Sequence, residues 1–305
     1  MNNQGKNINR IQITSLCGNF MRLDGGAMFG NAPKALWSKW IKPDADNLID
    51  IGSRSILIET DQYKILFETG PGAYLSPKLK KRFSILNNDH VLLQSLQDYG
   101  LDHKDITHVI LSHLHFDHAG GLLEQWQDNT MPLKLLFPNA KYILGQLNFE
   151  RSCCPHIRDR ASFIPELPRL LKKSNHLVLK QDGDSLDFGE VHINFFESHG
   201  HTPGMLVSDI LIQDLRIIFM GDLVPGIPWI NLPITMGYDR YPELLIDEKR
   251  TIFEKAYKNN AYLFFTHDPI YSAAKLGFDE VKKRYIPVDK KNNFIEQRYD
   301  GGIKI

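Results

Sequence analysis

Short runs of β-branched and other apolar residues recur along the chain and predict β-strands. Each run is bounded by polar or turn-forming residues and is rich in Ile, Val, Leu and Phe, which favours strands over helices. The runs are residues 11–16, 54–60, 63–69, 108–112, 141–144, 176–179, 191–196, 206–213, 215–220 and 262–267. They form two groups, one in each half of the chain.

Helical patterns separate several of these strands. They cover residues 90–100, 118–127, 146–151 and 243–259. Two groups of strands, each accompanied by helices, predict an α/β protein in which two sheets pack face to face with helices outside. Because no low-complexity linker divides the chain, we predict one domain over residues 1–305.

Two segments without a clear period interrupt this pattern, at residues 19–47 and 224–242. Both are rich in Gly, Pro and large apolar side chains, and long ordered loops in compact domains tend to be functional. We therefore expect the two loops to wall a pocket. The candidates for its lining are Met28, Phe29, Trp37, Trp229, Ile230 and Tyr238. Such a lining favours an uncharged, partly hydrophobic small molecule over a polyanion.

The chemistry is concentrated in SHLHFDHAGG, residues 112–121, directly after a predicted strand. Its potential ligands are His113, His115, Asp117 and His118. Imidazole nitrogens and a carboxylate suit zinc, iron, cobalt or manganese, and without a cation such a dense group would be repulsive or poorly solvated. His113 and His115 alternate along an extended segment and can share one ion. Asp117 and His118 lie at the turn into the next helix and can face a second ion.

Three further strands end in a potential ligand. His201 lies in ESHGHTPG, Asp222 in IIFMGD and His267 in LFFTHDP. Each alone is weak evidence, but strand ends meet at one edge of a sheet, where the active sites of α/β proteins collect. We therefore expect these three side chains to join the four of the 112–121 segment.

Composition and charge exclude several classes of function. Lys and Arg together number 36, as do Asp and Glu, so no net charge favours a polyanion and nucleic acid is not an expected partner. No apolar stretch has the length of a signal peptide or of a membrane span, so we expect a cytoplasmic protein without a membrane partner. The three cysteines show neither a disulfide framework nor a zinc-finger spacing.

The order HxHxDH, GHTPG, GD and a late His resembles the metallo-β-lactamase superfamily of hydrolases, over nearly the whole chain. The resemblance implies a four-layer αββα sandwich. The segments AMFGNAPKALWSKW, SRSILIET, FPNAKY and GYDRYP further resemble the branch that contains YtnP-type quorum-quenching lactonases and methyl parathion hydrolase.

Carried over to this chain, the resemblance implies two divalent metal ions, with zinc expected and iron, manganese or cobalt as alternatives. The first ion would bind His113, His115 and His201, and the second would bind Asp117, His118 and His267. Asp222 and a hydroxide nucleophile would bridge them, because a metal-bound water ionises near neutral pH. As catalytic residues we expect Asp117, through proton transfer, and Tyr238, through a hydrogen bond to the substrate carbonyl.

One position departs from the superfamily pattern. The chain has LFETG, with Glu68, where relatives carry an Asp that supports a ligating histidine, and a Glu is one methylene longer. The role could persist with altered geometry, or the change could affect metal choice or affinity. His199, two residues before His201, is not expected to be a ligand.

The resemblance leaves the substrate open, because one fold supports many chemistries. Opening of a lactone or cleavage of an ester is preferred, with N-acyl homoserine lactone as the first candidate. Phosphotriesters and thioesters are the alternatives, and an iron-dependent redox protein or a binding protein with a decayed metal site are further ones. Apolar loops also suggest a homodimer.

Overall fold

The computed structural model describes residues 10–128 and 130–299. Its strands are β1 (Arg10–Cys17), β2 (Met21–Asp24), β3 (Leu48–Ile51), β4 (Arg54–Glu59), β5 (Lys64–Phe67), β6 (His108–Ile110), β7 (Lys141–Gly145), β8 (Leu177–Lys180), β9 (Ser185–Asp187), β10 (Val191–Ser198), β11 (Met205–Ile212), β12 (Leu215–Phe219), β13 (Tyr262–Phe264), β14 (Ala273–Asp279), β15 (Arg284–Lys291) and β16 (Ile295–Tyr299). Its helices are α1 (Gly25–Phe29), α2 (Lys34–Trp37), α3 (Pro77–Arg82), α4 (Val91–Asp98), α5 (Phe116–Ala119), α6 (Gln146–Cys153), α7 (Leu167–Lys173) and α8 (Pro242–Lys258).

These strands form two seven-stranded mixed sheets and a small hairpin of β2 and β3. The first sheet has the order β16-β1-β4-β5-β6-β7-β8 and the second the order β15-β14-β13-β12-β11-β10-β9. Pairing is parallel from β5 to β8 and between β12 and β13, and antiparallel elsewhere. The parallel strands of the first sheet thus run from its middle to the outer strand β8, and those of the second lie near its centre.

The sheets pack face to face through apolar side chains. Phe67 on β5 contacts Phe219 on β12 across the interface, with ring centroids 5.4 Å apart. Other members of this buried layer are Ile13, Ile56, Ile58, Ile65, Ile110, Ile193, Phe195, Ile210, Ile217 and Phe264. On the outer faces, α4 packs against β1 and α8 against β14. The four-layer αββα architecture predicted from the sequence is confirmed.

The structure differs from the sequence-based prediction in the helix expected at 118–127. Helix α5 ends at Ala119, and a single 3-10 turn follows over Gly120–Leu122. Leu123 then forms an isolated antiparallel β-bridge with Leu135. The backbone N–H of Gly121 donates to Gly70 O at 2.8 Å instead of continuing the helix. A Cβ at Gly121 would lie 2.1 Å from Thr69 O, so this close approach requires glycine.

The segment 19–47, expected to be an irregular loop, contains β2, α1 and α2. Asp24 starts α1 by accepting a hydrogen bond from the N–H of Ala27 at 2.8 Å, which satisfies one of the free donors of the first turn. The segment 224–242 is irregular as expected, apart from a 3-10 turn over Ile227–Ile230. In the described part of the chain, no helix has both the length and the apolarity needed to cross a bilayer.

Candidate metal centre

Five strands end at one edge of the two sheets and place polar side chains there. Glu68 follows β5, His113 follows β6, His201 follows β10, Asp222 follows β12 and His267 follows β13. The N–H of Leu206 donates to Ser112 O at 2.8 Å, which joins the two sheets at this edge. The strand-end positions therefore bring side chains from distant parts of the sequence into one buried cluster.

The first group of donor atoms combines three imidazoles. His115 Nδ1 lies 3.0 Å from His113 Nε2 and 3.2 Å from His201 Nε2. All three side chains are buried. These nitrogens lie within 4.8 Å of one another, a spacing that can hold one metal ion.

The second group lies beside the first. His118 Nε2 and His267 Nε2 are 3.0 Å apart, and Asp117 Oδ2 lies 3.6 Å from His267 Nε2. Asp222 stands between the two groups and offers one oxygen to each. Its Oδ1 is 3.3 Å from His118 Nε2 and its Oδ2 is 3.3 Å from His201 Nε2. The structure thus brings together all seven side chains that the sequence suggested as ligands.

Hydrogen bonds on the far side of the rings fix their orientation. His118 Nδ1 lies 3.1 Å from Glu68 Oε2, His201 Nδ1 lies 2.9 Å from Asp239 Oδ1, and His267 Nδ1 lies 2.9 Å from Gly52 O. Carboxylate and carbonyl oxygens can only accept, so each Nδ1 carries the proton and each Nε2 keeps a lone pair. Three lone pairs consequently point into the cluster.

This arrangement fits divalent cations. The Nε2 lone pairs of His118 and His267 face each other at 3.0 Å, which is repulsive unless a positive charge lies between them. Among the described residues, no hydrogen-bond donor satisfies the buried Asp222 Oδ1. A cation bound by these atoms would resolve both conflicts, and nitrogen and carboxylate donors are those preferred by zinc and similar ions.

The electrostatics of the cluster agree with this interpretation. Burial, reinforced by the neighbouring imidazoles, lowers the pKa of His113 and of His115 well below the usual range, so both rings are neutral and can donate a lone pair. Burial raises the pKa of Asp222, but His118, His267 and His201 outweigh it and hold that pKa well below its usual value. Burial also lowers the pKa of His118, His201 and His267, but the neighbouring carboxylates, Asp222 foremost, outweigh it and raise the pKa of all three rings. The cluster therefore presents two neutral imidazoles beside an ionised carboxylate that attracts positive charge.

The structure places Glu68 beside the second donor group and His199 outside the cluster. Glu68 is fully buried and contacts the second donor group through His118, while its Oε1 accepts the N–H of Ser112 at 2.6 Å. His199 lies outside the cluster: its side chain is 39% exposed and its Nδ1 accepts the N–H of Gly204 at 3.1 Å.

Asp239 is a member of the site that sequence reasoning missed. Its carboxylate is almost fully buried and contacts His201, which lies 38 positions earlier in the chain. No spacing rule connects the two residues. The available signal was the acidic side chain in the MGYDRYP segment, within a loop that was already a candidate pocket wall.

A cavity of about 350 Å³ opens directly onto the cluster, where His115, Asp117, His201, Asp222 and His267 line its floor. Its walls are mainly apolar. They are formed by Leu23, Met28, Phe83, Phe116, Ala161, Met236 and Tyr238, with Arg158, Ser162 and Asp159 as polar members, the last in an ion pair with Arg151. A small molecule entering this cavity would meet the donor groups at its base.

The predicted pocket lining is correct for Met28 and Tyr238 but not for the other candidates. Phe29 stacks between Trp37 and Trp229, with centroid distances of 5.3 Å and 4.6 Å, and all three rings are buried. These rings pack the two loops against each other behind the cavity. Ile230 is also buried and lies at a different groove, together with Trp40 and Ile41.

The fold and the cluster define a metal-binding αββα protein, and comparison with known proteins identifies its family. Residues 49–267 match the metallo-beta-lactamase superfamily. The chain belongs to this superfamily, and the sequence-based expectation of a hydrolase of this group is confirmed at that level. No curated protein matches the chain in sequence.

Solved structures agree with this assignment. A probable metal-dependent hydrolase from Staphylococcus aureus is 30% identical, with a TM-score of 0.78 over 92% of this chain and 97% of that one. AidC, a dizinc quorum-quenching lactonase, is 22% identical, with a TM-score of 0.72 over 91% and 94% of the two chains. An N-acyl homoserine lactone hydrolase is 20% identical, with a TM-score of 0.60 over 85% and 93%. The last two share the fold.

Proposed function

We propose that this protein is a dinuclear metal-dependent hydrolase that opens a lactone or cleaves an ester, with N-acyl homoserine lactones as the first candidate substrates. The observation that carries the proposal is the position of Asp222, whose two oxygens each face one of two adjacent donor groups beneath a mainly apolar cavity. Two ions held in this way are typical of hydrolytic centres.

In this proposal each donor group holds one ion, expected to be zinc. His113, His115 and His201 form the first site, and Asp117, His118 and His267 form the second. When bound, the ions would act as Lewis acids that activate water and polarise the oxygen of the substrate. The rings of His118, His201 and His267 are held with Nε2 towards the ions by hydrogen bonds from Nδ1 to Glu68, Asp239 and the carbonyl of Gly52.

The chain itself supplies proton transfer and hydrogen bonding. Asp117 is 13% exposed at the cavity floor, where its Oδ1 can take a proton from the attacking water and return it to the leaving oxygen. Tyr238 lines the same cavity. Burial, with a smaller contribution from Asp117, raises the pKa of Tyr238 to about 12, so the phenol stays protonated and can donate to a developing oxyanion.

The cavity supports an uncharged, partly hydrophobic substrate. Phe83 and Phe116 face each other with ring centroids 4.6 Å apart, and Met28 and Met236 add flexible apolar surface. Arg158 is the cationic exception at the rim, where its Nη2 donates to Gly237 O at 2.9 Å. One structural neighbour is described as a quorum-quenching lactonase in complex with a product, and another as an N-acyl homoserine lactone hydrolase with N-hexanoyl-L-homoserine bound, which supports testing that class first.

Chelation and a substrate panel test the proposal. We expect the metal-analysed protein to cleave N-hexanoyl homoserine lactone or an aryl ester faster than a phosphotriester, a thioester or a β-lactam, and to lose activity when a chelator is added. Re-addition of zinc should restore the rate, because the donor groups remain in place. Bound metal with preferred cleavage of the phosphotriester or the thioester would instead contradict the proposed substrate class.

The role proposed for Tyr238 gives a second expected outcome. Tyr238→Phe removes one hydrogen-bond donor without changing the ring, so kcat on the preferred substrate should fall by about 100-fold while metal content stays unchanged. Tyr241→Phe is the matched control, because Tyr241 is a comparably exposed tyrosine that does not line the cavity. Equal kcat values in the two variants would assign Tyr238 to the cavity wall alone.

A further inference from the structure

A buried lysine ties helix α8 to the loop that forms one side of the cavity. Lys249 is fully buried, and its Nζ donates to three backbone carbonyls of the preceding loop. The distances are 3.2 Å to Asn231 O, 3.1 Å to Leu232 O and 2.9 Å to Ile234 O. A single side chain thus satisfies acceptors at three nearby positions of one irregular segment.

The surroundings of Lys249 are unusual for a lysine on an amphipathic helix. Lysine is almost never fully buried without a partner. Burial lowers the pKa of Lys249 to about 7. The negative charge of Asp239 raises this pKa and only partly offsets the effect of burial. The ring of Phe253 lies 6.0 Å from Nζ on the same helix. The three carbonyls are therefore the partners that hold this amino group in place.

The loop bound by Lys249 continues directly into the cavity. We call residues 235–239 the pocket wall, since Met236, Gly237 and Tyr238 line the cavity. Asp239 closes this wall by accepting the N–H of Met236 at 2.6 Å, and its other oxygen contacts His201. The only residue between the last carbonyl bound by Lys249 and Met236 is Thr235, so a displacement of 231–234 would be transmitted to the wall.

We propose that Lys249 is a positioning residue that fixes the pocket wall and thereby sets how tightly the substrate is held. It touches neither the donor groups nor the cavity, and acts through the carbonyls of 231–234. The part of this inference that concerns substrate rests on the proposed function. The part that concerns the wall stands on the hydrogen bonds alone and can be measured without any substrate.

Hydrogen exchange of the metal-loaded protein tests the wall directly. Lys249→Met keeps the length and apolar stem of the side chain but removes its donors. We expect the backbone amides of the pocket wall to exchange at least about tenfold faster in this variant, with the strands of both sheets unchanged. Lys258→Met, at the exposed end of the same helix, is the matched control and should leave exchange in the wall unaltered.

Lys249→Arg is the control for loss of folding, because it keeps a cationic donor for the same carbonyls. It should preserve more of the wall's protection than Lys249→Met. Unchanged protection in Lys249→Met, a uniform loss over the whole molecule, or no difference between the Arg and Met variants would each overturn the proposal.

Kinetics with N-hexanoyl homoserine lactone and an aryl ester test the consequence for substrate. For a probe that the wild type cleaves, Lys249→Met should raise KM about tenfold. Because Tyr238 belongs to the loosened wall, kcat should fall as well, but by less than the fall of about 100-fold expected for Tyr238→Phe, since the hydroxyl is still present. If the wild type cleaves neither probe while the wall still loosens in Lys249→Met, the proposed function fails and the positioning role stands. A loosened wall with an unchanged KM on a cleaved probe would contradict the role in substrate binding.

Discussion

His118→Ala is expected to abolish hydrolysis, with a fall in kcat/KM of at least about 1,000-fold, because several kcal/mol of transition-state stabilisation depend on the second donor group. His118 is fully buried, and its Nε2 lies 3.0 Å from His267 Nε2 and 3.3 Å from Asp222 Oδ1. Without it, only Asp117, His267 and the carboxylate of Asp222 remain to hold the second ion. Metal analysis should therefore show a loss of one ion per chain.

The fold should survive this substitution. The imidazole of His118 lies at the edge of the sheets, outside the apolar layer between them, and Glu68 retains the N–H of Ser112 as a donor. Far-ultraviolet circular dichroism should be unchanged. His199→Ala is the matched control, because this exposed histidine lies close to the cluster in sequence and outside it in space, and its activity should stay within about twofold of wild type. Full activity in His118→Ala would refute a mechanism with two metals.

The candidate site was largely predictable from the sequence because its side chains follow simple rules of placement. His113, His115, Asp117 and His118 are neighbours in the chain, so their proximity needs no knowledge of the fold. His201, Asp222 and His267 each follow a strand of strong apolar character, and strand ends collect at one edge of a sheet. Local spacing and strand direction together therefore located the cluster.

Features that depend on contacts between distant loops could not be predicted in this way. Asp239 reaches His201, and Lys249 reaches the 231–234 carbonyls, through the path of an irregular loop that has no periodic pattern. Phe29 and Trp229 were expected to line the cavity because large apolar residues in a loop suit that role. They instead stack on each other and hold the two loops together.

Errors in the predicted elements have different physical causes. The helix expected at 118–127 stops early because Gly120 and Gly121 pack against the backbone of residues 69–71, where a helix with side chains would not fit. Strands β14, β15 and β16 were not predicted, since much of β15 and β16 is exposed at sheet edges and their sequences carry Lys, Arg and Asp instead of an apolar run. Tertiary contact determined the structure in both cases.

Glu68→Ala is expected to lower metal affinity. The carboxylate of Glu68 accepts from both Ser112 N and His118 Nδ1 in a fully buried site. Its removal leaves two buried donors without an acceptor, at a cost of about 1–3 kcal/mol each, and frees the ring of His118 to rotate. Loss of such a support typically lowers metal affinity about 10- to 100-fold. Competition with a chromogenic chelator measures this change.

Glu68→Asp separates the charge of this side chain from its length. The backbone of Glu68 is left-handed, with φ at 62°, a conformation that Asp adopts more readily than Glu, so the shorter residue relieves strain. The shorter carboxylate must nevertheless span Ser112 and His118. We expect metal affinity between those of wild type and Glu68→Ala, and a kcat close to wild type at saturating zinc. Because zinc in excess compensates for weak binding but not for a misdirected ring, inactivity of Glu68→Asp at saturating zinc would show that Glu68 sets the geometry of the reaction, beyond metal retention.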